Sequence, residues 1–344
     1  MRLILALVIT FCALVSYAQA GHWGSATEDK LEASQPELFK DFRKARELID
    51  NFDGIRKPLL VAKELLDKTI EQDINFAPAY VEYARLYYKG GHILGGVFKS
   101  QTRSMARAAI ERAIEVEPDY EDAYVLLGYQ LYQEGANEEA LTVLDHAEEL
   151  GSKSPWLHLN RMLVYQFTGQ RDEAFKHLLK VIEKKPNNEN AYSFALEKMA
   201  RFYVNRENFS EADQWYERLL QLQPIAWNYS KIAYYQLMHK RDVDAAISYG
   251  EQALEKMDYY EARRILAAAY FVKWSQVTKK GRLEEAMSYF ARGFELFPNL
   301  VKIIDVYQSE DAMKDTLARL RVYVRYAVSK SLQIMREEGV QIPG

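Results

Sequence analysis

A single cysteine, Cys12, stands in the 344 residues. It lies inside an uncharged apolar run, Leu3 to Tyr17, which follows Arg2 and leads into Ala18-Gln19-Ala20. This is the form of an export signal with a small-residue cleavage site, and cutting after Ala20 would start a mature chain at Gly21. The apolar run continues past Cys12, which disfavours a lipid-attachment role for it. A mature chain without cysteine excludes a disulfide framework, a thiolate metal site and a cysteine nucleophile. The run is also shorter than the roughly 20 residues that a spanning helix needs, and no later stretch is uniformly apolar. The expectation is a periplasmic or secreted product with no transmembrane segment in the mature chain.

An excess of one charge is missing too. The chain carries 45 Lys and Arg against 49 Asp and Glu; without Arg2 the basic count is 44. Phosphate backbones demand a concentrated basic face, so no nucleic-acid partner is expected. The six histidines, His22, His92, His146, His158, His177 and His239, form no H-E-x-x-H pair or other close ligand spacing, so no metal is expected. His22 would be the second mature residue, a place where a free amine helps to hold copper, but a disordered terminus is the plainer reading. There is no G-x-S-x-G elbow and no glycine-rich nucleotide turn. Acidic pairs such as Glu138-Glu139 and Glu284-Glu285 precede an alanine at a helix start, where carboxylates favour the positive end of the dipole. These absences predict no enzyme and no cofactor, leaving only residues gathered from several distant segments as a route to catalysis.

What is present is a repeat. Ala106, Ala140, Ala174, Ala212, Ala246 and Ala286 recur at intervals of 34, 34, 38, 34 and 40 residues. The stretch from Glu121 carries the fullest version: Tyr124, Leu127-Gly128 and Leu131 on one helix, then Gly135, then Ala140, Leu144 and Ala147 on a second. Pro118, Pro186, Pro224 and Pro298 close four units, each where a helix should stop for want of an amide hydrogen.

This pattern resembles the tetratricopeptide repeat. The resemblance implies an all-α fold, a right-handed α-α superhelix in which each helical hairpin buries its second face against the next. Ala and Gly mark close helix crossings and the larger apolar residues fill the grooves between them. One degenerate unit, its alanine at Ala62, and six recognisable units are expected over residues 37 to 298. Residues 21 to 36 are expected as a flexible leader. Asn299 to Gly344 form a terminal cap, with Leu317, Leu320, Val322, Val324 and Val328 set among basic residues. Departures are Ser152 and Asp258 for the closing proline, Met162 and Tyr234 for the small residue of the first helix, and Gly250 for the large residue of the second.

In that family the first helices line a concave groove that holds a protein or peptide partner. Carried over position by position, the groove would present Val81, Arg85 and Tyr88; Asp122, Val125, Tyr129 and Tyr132; Trp156, Leu159, Leu163 and Gln166; Glu197 and Arg201; and Asn228, Lys231, Tyr235 and His239. Rigid aromatic rings with scattered cations are what binding hot spots are made of. The opposing reading, in which several of these tyrosines are wedged between neighbouring helices, stays open here. The family's carboxylate clamp is not expected, because the corresponding positions read Arg85, Tyr129, Leu163, Arg201, Tyr235 and Ala269 and lack its asparagines.

A ten-residue insertion, Gly90 to Lys99, separates the two helices of the unit that starts at Ala77. Its four glycines suggest a mobile backbone, and Gly91, Ile93, Leu94, Val97 and Phe98 suggest a lid whose apolar residues need cover from the groove, a partner or peripheral membrane contact. A smaller insertion near Trp274 to Lys280 reads as an extra helical turn. The expected function is a non-catalytic scaffold or adaptor in the cell envelope. The alternative is a solute- or peptide-binding accessory of an envelope transport or polymer-assembly system.

Overall fold

A computed structural model describes residues 26–52, 55–94 and 99–297, together with 324, 333, 334 and 337. The expected signal, and most of the expected cap, lie outside the described residues. Among the described residues there are fifteen α-helices, one π turn and no strand.

A short helix, α1 (Ala26–Ser34), precedes α2 (Pro36–Asp50) and α3 (Arg56–Gln72). Then come α4 (Ala77–Leu94) and α5 (Lys99–Val116), α6 (Glu121–Glu134) and α7 (Asn137–Glu149), and α8 (Pro155–Phe167) and α9 (Arg171–Lys184). The series continues with α10 (Glu189–Val204), α11 (Phe209–Leu222), α12 (Ala226–Tyr235), the π turn Gln236–Lys240 and α13 (Val243–Lys256), and ends with α14 (Tyr260–Thr278) and α15 (Leu283–Leu296). The chain divides into two compact units, the first closing at Ala195 and the second opening at Leu196.

Within each unit the helices alternate as hairpins: α2 packs on α3, α4 on α5, α6 on α7 and α8 on α9 in the first, and α12 on α13 and α14 on α15 in the second. First helices also touch the next first helix, α2 on α4, α4 on α6, α6 on α8 and α12 on α14. Both kinds of contact require small residues at the crossings. Ala140, Ala174, Ala212, Ala246 and Ala286 are each the fourth residue of a second helix, and all are buried. Ala106 is buried as well, one turn deeper into α5 because that helix starts early. At Gly128 a Cβ would lie 2.5 Å from Leu144 Cγ, so the α6–α7 crossing admits nothing larger than glycine. In α12 the fully buried small residue is Ala233, a position before the expected Tyr234, which is only half-buried.

Proline stops the second helices as expected. α5, α9, α11 and α15 end at Val116, Lys184, Leu222 and Leu296, each two residues before a proline, because the residue ahead of proline is pushed out of the α region. Proline also starts helices, at N1 of α2 and α8.

Two expectations change. Residues 26–34, expected in a flexible leader, form α1 with Glu28 and Leu31 buried. Gly91, Ile93 and Leu94, expected in a loop, are backbone-helical in α4, whose path bends at Gly90 (φ −159, ψ 19); Lys99 is already in α5, and Val97 and Phe98 lie outside the described residues. The extra residues near Trp274 form the expected extra helical turn, taking α14 to 19 residues with the Trp274 ring fully buried. Val324, from the expected cap, is buried in the apolar cluster around Phe271 and Phe290.

Candidate functional site

The first-helix face of the first unit is built around a chain of charges. Arg46 on α2 donates from both Nη atoms to the Glu28 carboxylate of α1 (3.0 and 2.7 Å) and from Nε to Glu82 of α4 (2.8 Å). Arg85, one turn along α4, donates to both Glu82 oxygens (2.9 and 2.8 Å) and to Asp50 at the end of α2. The backbone carbonyl of Asp50 then accepts from Lys89 Nζ (3.1 Å) and from Asn190 Nδ2 of α10 (2.9 Å). Asp50 and Asn190 are 140 positions apart, so the end of α2 meets the start of α10.

Glu28 and Glu82 are each 2% exposed, and buried charges persist only where they are paired. Burial opposes the charge on Arg46, but Glu82 and Glu28 outweigh it and raise the guanidinium pKa well above its ordinary value. Lys89 lacks that compensation: burial, with Arg85 beside it, lowers its ammonium to about 8 in spite of Asp50 and Glu82. Asp122, on the next first helix, is raised to about 7 by burial and by Glu121, against the pull of Arg46.

Next to the charges runs an aromatic ladder. Tyr88 of α4 meets Tyr129 of α6 edge-on (5.2 Å, 81°), Tyr129 meets Tyr132 (6.3 Å), and Tyr132 meets Phe167 of α8 edge-on (6.1 Å, 87°). Tyr88 is fixed through its hydroxyl to Gln130 Oε1, and Gln130 in turn donates to Glu134. The three tyrosines are half-buried, whereas Phe167 is 68% exposed. Edge-to-face pairs of this kind are rigid and favourable. Gln166 is exposed beside Phe167, and Trp156 packs 5.7 Å from Phe194 at the other end of α8.

In the second unit, Glu197 is buried and accepts from Lys231 Nζ (2.8 Å), with Arg201 at 3.5 Å. Burial alone would raise that carboxyl, but Lys231 and Lys198 lower it. Arg201, Lys231 and His239 are exposed. Of the residues expected to line the groove, Glu197, Asn228 and Tyr235 are interior here, as Val81, Val125 and Leu159 are in the first unit. Asn228 is 2% exposed and satisfies the Gln223 carbonyl just ahead of α12 (2.9 Å). Tyr235 is 1% exposed, its ring 4.8 Å from Tyr216 and its hydroxyl donating to Asp213 (2.9 Å). There the wedged-tyrosine reading holds, since the interior offers the Tyr235 hydroxyl a carboxylate partner.

The structure thus brings Arg85, Tyr88, Tyr129 and Tyr132 together in the first unit and buries Asn228 and Tyr235 in the second. Sequence reasoning missed Arg46, because it lies in the degenerate unit, and Glu28, because its segment has no repeat signature. Phe167 was legible in principle, as a large apolar residue between two polar ones at the end of a first helix. Also missed was an open cleft of about 480 Å³ between α3 and α5, floored by Tyr80, Tyr83 and Tyr87 of α4.

His158 and His177 face each other with Nδ1 atoms 3.4 Å apart, and burial and Lys180 lower both to about 4, so both rings are neutral at ordinary pH. Among the described residues no group of three or more His, Cys, Asp or Glu side chains is placed to hold a metal ion. No helix among them is long and apolar enough to cross a membrane.

No family model and no curated protein matches the chain. Solved structures similar to it include the type IV pilus biogenesis factor PilW (15% identity, 67% of this chain and 97% of that one, TM-score 0.46) and yeast Tom70 (16%, 89% and 66%, TM-score 0.49). Cut9 in the APC/C hetero-tetramer Cut9-Hcn1 is similar over 70% of this chain at 18% identity (TM-score 0.48), and there the chain spans less than half, 44%, of the other's length. By the alanines at its hairpin crossings, the prolines that close its second helices and the alternation of the hairpins themselves, the chain is an all-α repeat of helical hairpins, the architecture that its resemblance to the tetratricopeptide repeat implies.

Proposed function

We propose that this chain is a non-catalytic scaffold of the cell envelope that holds a protein or peptide partner on the first-helix face of its repeats. The observation that carries the reading is the Tyr88–Tyr129–Tyr132–Phe167 ladder, a rigid aromatic strip across three successive hairpins that ends on a phenylalanine 68% exposed. Large rigid rings give up little entropy on binding and bury much area, which is why they dominate protein contacts. The family resemblance supports the same face, and the apolar leader ahead of Ala18-Gln19-Ala20 supports an envelope location.

The test is co-purification of the tagged full chain from an envelope fraction. Tyr132→Ala with Phe167→Ala is expected to cut partner recovery by about tenfold, the loss of one or two hot-spot contacts, while the melting temperature moves little because Phe167 packs against so little of the chain. Undiminished recovery by a folded double variant overturns the site. N-terminal sequencing of the recovered protein should read from Gly21; an intact leader on a cytosolic protein would count against the envelope reading.

A further inference from the structure

α1 does not belong to the repeat. Among the described residues it has no second helix to pair with, and it rests on the first helices α2 and α4, the side of the repeat assigned above to a partner. Only Gln35 joins it to α2. Pro36 at N1 of α2 keeps Gln35 out of the helical region (φ −141, ψ 67), so the two helices meet at a one-residue hinge.

Its attachment is equally sparse. Seven of its nine residues are at least partly exposed; the two buried ones, Glu28 and Leu31, lie three apart on one side. Leu31 enters the apolar cluster of Leu38, Phe39 and Phe42. Glu28 takes both Nη atoms of Arg46, and Thr27 adds a hydroxyl bond to Glu117 (2.6 Å). A helix this short does not hold its shape alone in water, and a buried ion pair loses most of its attraction to the cost of dehydrating both charges. When α1 lifts, Arg46 keeps Glu82 through Nε, so the opened face stays in place with both Nη donors free.

We propose that α1 is an intramolecular occupant of the partner-binding face and that a partner segment displaces it by presenting its own carboxylate to Arg46, with an aliphatic side chain three residues further on. Glu28 and Leu31 are the internal copy of that ligand. The partner is therefore an acidic segment of the form Glu-x-x-Leu, and the chain is self-covered until it arrives. This rests on the first-helix face being the binding face.

Two measurements on the full chain test it. In hydrogen exchange of the unaltered protein, the α1 amides are expected to exchange at least about tenfold faster than those of α2, reporting local opening. A labelled, terminally blocked peptide with the sequence of residues 26–34 is expected to bind the Leu31→Asp variant, whose own α1 cannot seat, about tenfold more tightly than the unaltered chain, and to lose that gain when the glutamate corresponding to Glu28 is replaced by glutamine. Exchange of α1 in step with α2, or equal peptide binding by both proteins, overturns the proposal. Because the ladder variants touch neither Arg46 nor Glu28, partner loss on altering the ladder together with failure here would leave the face assigned and remove only α1 as its occupant.

Discussion

Two kinds of residue carry costs that substitution can expose. Two positions ahead of five second helices the backbone is left-handed: Gly135, Gly169 and Gly281 take it with φ between 74 and 84, but Glu207 (φ 57) and Arg241 (φ 58) take it with a side chain. For an L-residue other than glycine that region costs roughly 1–2 kcal/mol, partly offset by the entropy glycine loses on folding. Glu207→Gly should therefore raise stability by about 0.5–1 kcal/mol, and Gly135→Ala should lower it by about 1 kcal/mol, both read as shifts of the urea midpoint. Asp122 is the second kind. It holds its proton to about pH 7 when folded and to about 3.9 when unfolded, so between those values the folded state binds more protons and stability falls as pH rises. Asp122→Asn should stabilise the chain by about 1–2 kcal/mol at pH 8, with the gain shrinking through the window and gone near pH 4; a gain unchanged with pH would mean the carboxylate is well solvated.

Elements respond to crossings, and here the insertion after Ala77 is instructive. Its four glycines suggest mobility when read alone, yet Gly90 is packed so tightly that a Cβ would collide with Leu59 Cδ1 of α3 and lie 3.2 Å from the Phe52 ring. Gly90→Ala should thus cost about 1–3 kcal/mol, the usual range for overpacking, and a thermal melt reads it directly. Composition could not separate a glycine kept for freedom from one kept for closeness, because the difference lies in what crosses it. The periodic part of the fold was legible for the opposite reason: alanine at a crossing, proline after a second helix and glycine in a turn each answer a constraint that recurs in every unit. Arg85 and the ladder tyrosines were legible on that register too. The tie of Arg85 to Asp50, the burial of Tyr235 against Asp213, and α1 were not, since each depends on a partner from another helix that no local pattern announces.

At the scale of the molecule, a tandem repeat is stabilised by neighbours, so a lesion in one hairpin is felt mainly by the next. The first unit breaks that rule at one point, where Asn190 of α10 donates to the Asp50 carbonyl at the end of α2, a tie across 140 residues. A backbone carbonyl at a helix end needs such a donor, and Lys89 Nζ supplies a second, longer one at 3.1 Å. Removing the tie with Asn190→Ala should cost about 1 kcal/mol, the net worth of one hydrogen bond, or about fivefold in local opening. The informative measurement is where that loss falls. Amides in the last turn of α2 should exchange about fivefold faster although their nearest sequence neighbours are untouched, while α14 and α15 in the second unit keep their protection. Loss confined to α10 and its immediate neighbours would mean that the chain obeys nearest-neighbour behaviour throughout, and that closure of the first unit's face contributes nothing to its stability.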